Sequence, residues 1–147
     1  MITAITELFE RDINKLVEEI KSYEDENALW KTAGHISNPA GNLVLHLIGN
    51  LNYFIGATLG NTGYIRDREK EFTIKNISKT KLVDDLEETR QVIKNTLANL
   101  PNEDLDKNFP VEIGGKTSST QQILIHLLAH FNYHLGQVNY HRRMIDK

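Results

Sequence analysis

Four of the six histidines in the chain fall in one stretch, and three of them, His126, His130 and His134, repeat every fourth residue. On a helix, residues four apart stand one above the other with Cβ atoms about 5–6 Å apart. Two imidazoles so placed can share one divalent ion. His46, which interrupts an apolar run far upstream, is the candidate for a further ligand from a facing helix. A lone histidine on an apolar face is more often a core residue with its hydrogen bonds satisfied than a ligand. The joint pattern shifts the balance, because bundle cores build metal sites from side chains on facing helices. Three histidines and a water form an open coordination set of the catalytic type. An open position on a dication lowers the pKa of a bound water or thiol and can polarise a carbonyl. The carboxylates of a di-iron bundle are missing: no Glu-x-x-His occurs, and neither histidine-bearing run contains Asp or Glu. A single ion with neutral ligands is therefore expected. Asn50, one turn from His46, and Gln137, three residues after His134, are placed to orient ligands or substrate.

Four helices must position these residues. In the first, about 3–23, Ile5, Leu8, Phe9, Ile13, Leu16, Val17 and Ile20 recur at three- and four-residue steps, with acidic residues and lysines opposite. A connector over 22–37 carries the only tryptophan, Trp30, whose indole is expected to anchor it. Asn38-Pro39 reads as the start of the second helix, with Asn as N-cap and Pro at the first helical position. That helix runs to about Leu59, where Gly60-Asn61 stops it, and its inward stripe includes His46 and Asn50. The charged connector 62–78 (Arg66, Asp67, Arg68, Glu69, Lys70, Glu71, Lys75) is expected to be solvated surface. It is long enough to cross the molecule from end to end, so the second and third helices are expected to run parallel. The third helix spans about 79–100 on a stripe of Leu82, Leu86, Ile93, Leu97 and Leu100. Alternation around Gly114-Gly115 predicts a short β-hairpin over 109–117. Ser118-x-x-Gln121 reads as a capping box opening the fourth helix, which continues to about Met144. There the aliphatic stripe Ile123, Leu124, Leu127, Leu128, Phe131, Leu135 and Val138 runs directly beside the histidines, and His141 is expected to lie in solvent near the helix end. The fold class expected is all-α, a four-helix bundle with one long crossover connection and a hairpin before the last helix, as a single domain over 1–147.

Composition narrows the function classes. The chain has 147 residues, 39% hydrophobic and 25% charged, as in an ordinary globular domain. A net charge of −3 gives no electrostatic footprint for nucleic acid. No window approaches the ~20 apolar residues of a membrane span, and the first residues lack the positive region of a signal peptide. The absence of cysteine removes disulfides, thiolate ligands and a cysteine nucleophile together, so any thiol chemistry must use an external thiol. A cytoplasmic location is the default expectation.

The motifs Asn38-Pro-x-Gly-x-Leu-x-x-His46-Leu-x-Gly-Asn50 and His126-x-x-x-His130-x-x-x-His134-x-Gly-Gln137 resemble those of the DinB/YfiT-like superfamily. These are four-helix bundles that include bacillithiol and mycothiol S-transferases. The resemblance extends over the whole chain in helix number and order. It implies that His46, His130 and His134 bind a divalent metal, zinc or nickel, with His126 in a supporting place. Where many members have Arg directly after the last histidine this chain has Leu135, so the resemblance implies no anion contact there. The activity implied is transfer of a low-molecular-weight thiol of the bacillithiol type to an electrophile, a small molecule, by a protein that forms homodimers in its relatives. Two alternatives stay open: a hydrolase or isomerase that activates water at the same ion, and a non-enzymatic, stress-related dimeric bundle with its histidines in the core.

Overall fold

The periodic apolar stripe of the first segment folds as α1 (Ile2–Ser22), burying Ile5, Phe9, Ile13, Leu16, Val17 and Ile20. Each such side chain contributes roughly 1.5–3 kcal/mol when removed from water. The computed structural model describes residues 1–146. The remaining helices are α2 (Ala40–Leu51), a short α3 (Arg68–Thr73), α4 (Lys79–Ala98) and α5 (Thr120–Ile145). The protein is all-α: no strand forms among the described residues, and none of their helices is long and apolar enough to cross a membrane.

Helix directions follow from which residues meet. Asn132 and Asn139 of α5 bond Asp12 and Glu19 of α1, at 2.6 Å each, so α1 and α5 run parallel. Lys79 and Lys94 of α4 reach Tyr23 and Glu10 respectively, so α1 and α4 run antiparallel. Asn52 bonds Thr89 at 2.9 Å, and a Cβ on Gly56 would touch Val92, so α2 and α4 run parallel as expected. α1 packs on α4 and α5, and α2 packs on the same two helices from the other side. One apolar core joins all four long helices.

Parallel α2 and α4 require the chain to travel back along the molecule between them, and the connector after Gly60 does so. Part of it forms α3, docked on α2. Asn42, fully buried on α2, donates to the carbonyls of Glu71 and Ile74 at 2.9 and 2.8 Å and bonds Lys75. The expectation that this charged segment is plain solvated surface is therefore corrected, because Glu71 is buried at 6% exposure.

Several local expectations also shift. Pro39, not Asn38, occupies the N-cap of α2, and its carbonyl accepts from Asn42 and Leu43. The second helix does not stay regular to Leu59: Asn52–Ala57 widens into a π-helical segment, with the Gly60 amide reaching Ile55. Val92 and Thr96 of α4 lie close against Gly56 and Gly60 here. Ser119, one residue later than expected, caps α5 by accepting from the Gln122 amide. The expected hairpin reduces to two isolated antiparallel bridges, Asn108↔Ser119 and Ile113↔Lys116, around two glycines of positive φ. With Pro110 removing a donor, too few backbone pairs remain for a ladder.

Candidate metal centre

α2 and α5 face each other across the core, and their polar interruptions meet. His46 is buried, while His130 and His134 are half-buried. The three histidines each offer one nitrogen, and these atoms all lie within 4.8 Å of one another, so the group could hold a metal ion. His46 Nε2 and His130 Nε2 are 3.1 Å apart. Two nitrogens on one tetrahedral zinc, at bonds of 2.0–2.1 Å, are separated by ~3.3 Å. The rings stand nearly perpendicular, with centroids 4.6 Å apart for His130 and His134 and 5.3 Å for His46 and His134.

The other ring nitrogens decide which atoms are free to ligate. His46 Nδ1 lies 3.0 Å from Glu71 Oε1, and donation to that carboxylate leaves Nε2 as a lone pair. His134 Nδ1 lies 2.7 Å from Gln137 Oε1, an acceptor, which frees Nε2 of that ring too. Gln137 is thus hydrogen-bonded to the His134 ring. His130 Nδ1 is buried without a hydrogen-bond partner among the described residues.

Burial favours the neutral form of His130 and His134. Burial pushes the His130 pKa down to about 4, helped by His134, His46, His126 and Arg66 nearby. Burial also lowers His134, and His46 adds to this, against the opposing hydrogen bond that its Nδ1 donates to Gln137. Neutral imidazole is the form that binds metal.

Glu71 is the candidate site residue that sequence reasoning missed. Burial alone would raise its pKa, but hydrogen bonds from Arg66 and His46 outweigh it and hold the carboxyl below the ordinary value. Arg66 grips it with Nε to Oε2 at 2.8 Å and Nη2 to Oε1 at 2.9 Å. The approach needs a glycine on α2, because a Cβ at Gly49 would overlap the Glu71 carboxylate. A carboxylate–histidine pair of this kind fixes the tautomer and raises the basicity of a ligating imidazole.

Other expected residues land elsewhere. His126 is exposed, its ring stacked beside His130 at 6.4 Å. Asn50 is buried one turn from His46, but its Oδ1 has no partner among the described residues. His141 is not solvent-exposed as expected. It is buried at 4%, with Nδ1 2.7 Å from the Tyr23 hydroxyl and Nε2 2.7 Å from the Lys31 carbonyl. The reason is that α5 continues to Ile145 and the end of α1 and the Trp30 connector close over it. Trp30 packs its ring on Gly41 of α2, anchoring that connector, although its N–H finds no partner among the described residues. A cleft of about 470 Å³ opens beside His134, walled by connector residues 35–38 and by Leu43, Gln137, Tyr140, His141 and Met144.

A comparison with curated proteins found no match. Over residues 2–147 the sequence matches the family described as Protein of unknown function (DUF1572), and the chain belongs to that family.

Proposed function

We propose that this protein is a metal-dependent enzyme of the DinB-like superfamily. In this reading the fold is that superfamily's four-helix bundle with a long crossover. His46, His130 and His134 hold one divalent ion, zinc or nickel, and the reaction is transfer of a low-molecular-weight thiol to an electrophile. The observation that carries the reading is the convergence of the Nε2 atoms of His46 and His130 at 3.1 Å, with the opposite nitrogens of His46 and His134 tied to Glu71 and Gln137. When bound, a divalent ion on three neutral ligands supplies Lewis acidity that makes a thiol ionise near neutral pH. The side chains do the rest: Glu71 and Gln137 fix the ring orientations, and the cleft beside His134 receives the reactant. In the transfer a sulfur–carbon bond forms, the carbon–leaving-group bond breaks, and the thiol proton passes to solvent. Cytoplasmic location and a homodimer belong to the same proposal.

The test is metal content. Protein purified without a histidine tag is expected to bind close to one equivalent of zinc or nickel. His46→Ala, His130→Ala and His134→Ala should each weaken binding by two orders of magnitude or more, on the scale of losing one ligand in three, while His126→Ala leaves it nearly unchanged. A folded wild-type chain with no affinity for either metal would sink the proposal in favour of core histidines. Metal binding with turnover that needs no thiol would redirect it to a hydrolase or isomerase.

A further inference from the structure

The cleft beside the cluster is lined by no lysine, arginine, aspartate or glutamate among the described residues. Its volume of about 470 Å³ lies in the range that holds a small organic molecule. Three of its side chains are large apolar or aromatic groups left open to water: Ile36, Tyr140 and Met144, at 37%, 63% and 65% exposure. Exposed apolar side chains gathered on one concave surface mark a binding site more often than scattered ones do. Methionine adapts its shape to an aromatic or alkyl partner.

Cations on adjoining segments are committed elsewhere. Lys31 pairs with Asp25 at 3.3 Å, Arg142 with Glu19 at 2.7 Å, and Arg66 with Glu71. Arg143 lies over the Tyr140 ring, 5.2 Å from its centroid, and does not line the cleft. His141 uses both ring nitrogens on Tyr23 and Lys31. Apart from the ion and the His35 imidazole, the cleft walls offer a carboxylate no cationic side chain, so losing its water there is costly. An apolar arm would cover Tyr140, Met144 and Leu43 at a gain.

We infer that the cleft receives the uncharged, apolar arm of an organic thiol whose sulfur is presented to the histidine cluster at the His134 wall. The inference rests on the metal reading above and narrows it, since a thiol of the bacillithiol type carries carboxylates and the inserted part here carries none.

Cobalt(II) serves as the probe metal, because its visible bands report the histidine site and a near-ultraviolet charge-transfer band reports a bound thiolate. Cobalt-loaded protein is titrated with phenylmethanethiol and, separately, with mercaptosuccinate, the thiol proton passing to buffer in each case. Phenylmethanethiol is expected to bind about tenfold tighter or more, from the apolar area it buries. Tyr140→Ala and Met144→Ala, both at exposed positions that leave the fold intact, should each weaken it about fivefold with cobalt affinity unchanged. Arg143→Ala should change neither thiol. Equal or tighter binding of mercaptosuccinate, binding of it that depends on Arg143, or indifference to both cleft variants overturns the inference while leaving the metal site standing. Failure of cobalt to bind at all overturns the metal reading itself.

Discussion

A carboxylate 3.0 Å from His46 Nδ1 changes what that histidine can do. Without it the ring could carry its proton on Nε2, where a lone pair is needed. With Glu71 accepting from Nδ1, Nε2 is left unprotonated and the ring is fixed in plane. Arg66 in turn holds the carboxylate by two hydrogen bonds, the geometry in which Arg exceeds Lys. Supporting carboxylates of this kind are worth roughly 10–100-fold in metal affinity. Glu71→Ala should therefore weaken zinc binding by about that factor, measured by competition with a chromophoric chelator, and Glu71→Gln by less, because an amide oxygen still accepts from Nδ1. Gly49→Ala should act through the same residue, since its methyl occupies the space of the Glu71 carboxylate. Zinc affinity unchanged in both Glu71→Ala and Gly49→Ala would show that His46 needs no such partner.

At the scale of elements, the connector between α2 and α4 is part of the site. Its backbone is fastened by Asn42 to two carbonyls, and its one buried carboxylate is fastened to a candidate ligand. Coupling of this sort is reciprocal: whatever the connector contributes to metal affinity, the metal returns to the connector. Zinc should slow hydrogen exchange at the amides of residues 70–74 by more than it slows exchange in α1, and Glu71→Ala should abolish that difference. Uniform protection of both segments would mean that the ion acts only by global stabilisation. This element also marks where sequence reading stops. Its length predicted the parallel run of α2 and α4, because chain reach is a local property. The burial of Glu71 was not legible, because a run such as Arg66-Asp-Arg-Glu-Lys-Glu71 has the same composition whether solvated or docked, and the partners that distinguish the two lie 20 or more residues away. The π-helical segment at Asn52–Ala57 was hidden for a similar reason, since the α4 residues it meets, Thr89 and Val92, lie more than 30 residues away. Helical spacing offers His126, His130 and His134 on one face without any tertiary information, and the resemblance to the DinB/YfiT-like motifs is what singles out His130 and His134 together with His46.

Across the whole molecule, the four long helices and both flanking connectors close on one another through a few polar ties, and His141 sits in one of them. It joins the end of α1 through Tyr23, the Trp30 connector through the Lys31 carbonyl, and its own helix. Donation from Nε2 to the carbonyl and acceptance at Nδ1 from the Tyr23 hydroxyl require the neutral ring. Burial lowers the His141 pKa, partly offset by the bond to Lys31 and the charge of Asp146, while burial raises that of Tyr23. The groups facing this ring are thus a neutral phenol, a carbonyl and one carboxylate at a distance, none able to stabilise a second proton well. Because the folded pKa is below the unfolded value of about 6.5, the unfolded chain binds more protons in between, and stability must fall as pH drops below that value. His130 and His134 act in the same direction in metal-free protein, so the slope has more than one source. Urea unfolding of metal-free protein should therefore show lower stability at pH 5.5 than at pH 7.5. His141→Asn should be less stable at both, from the broken tie, yet lose less between them. A variant whose loss between the two pH values equals that of the wild type would mean that His141 accepts its proton in the folded state as readily as in the unfolded chain. The closure of α1 and α5 around it would then not depend on its charge.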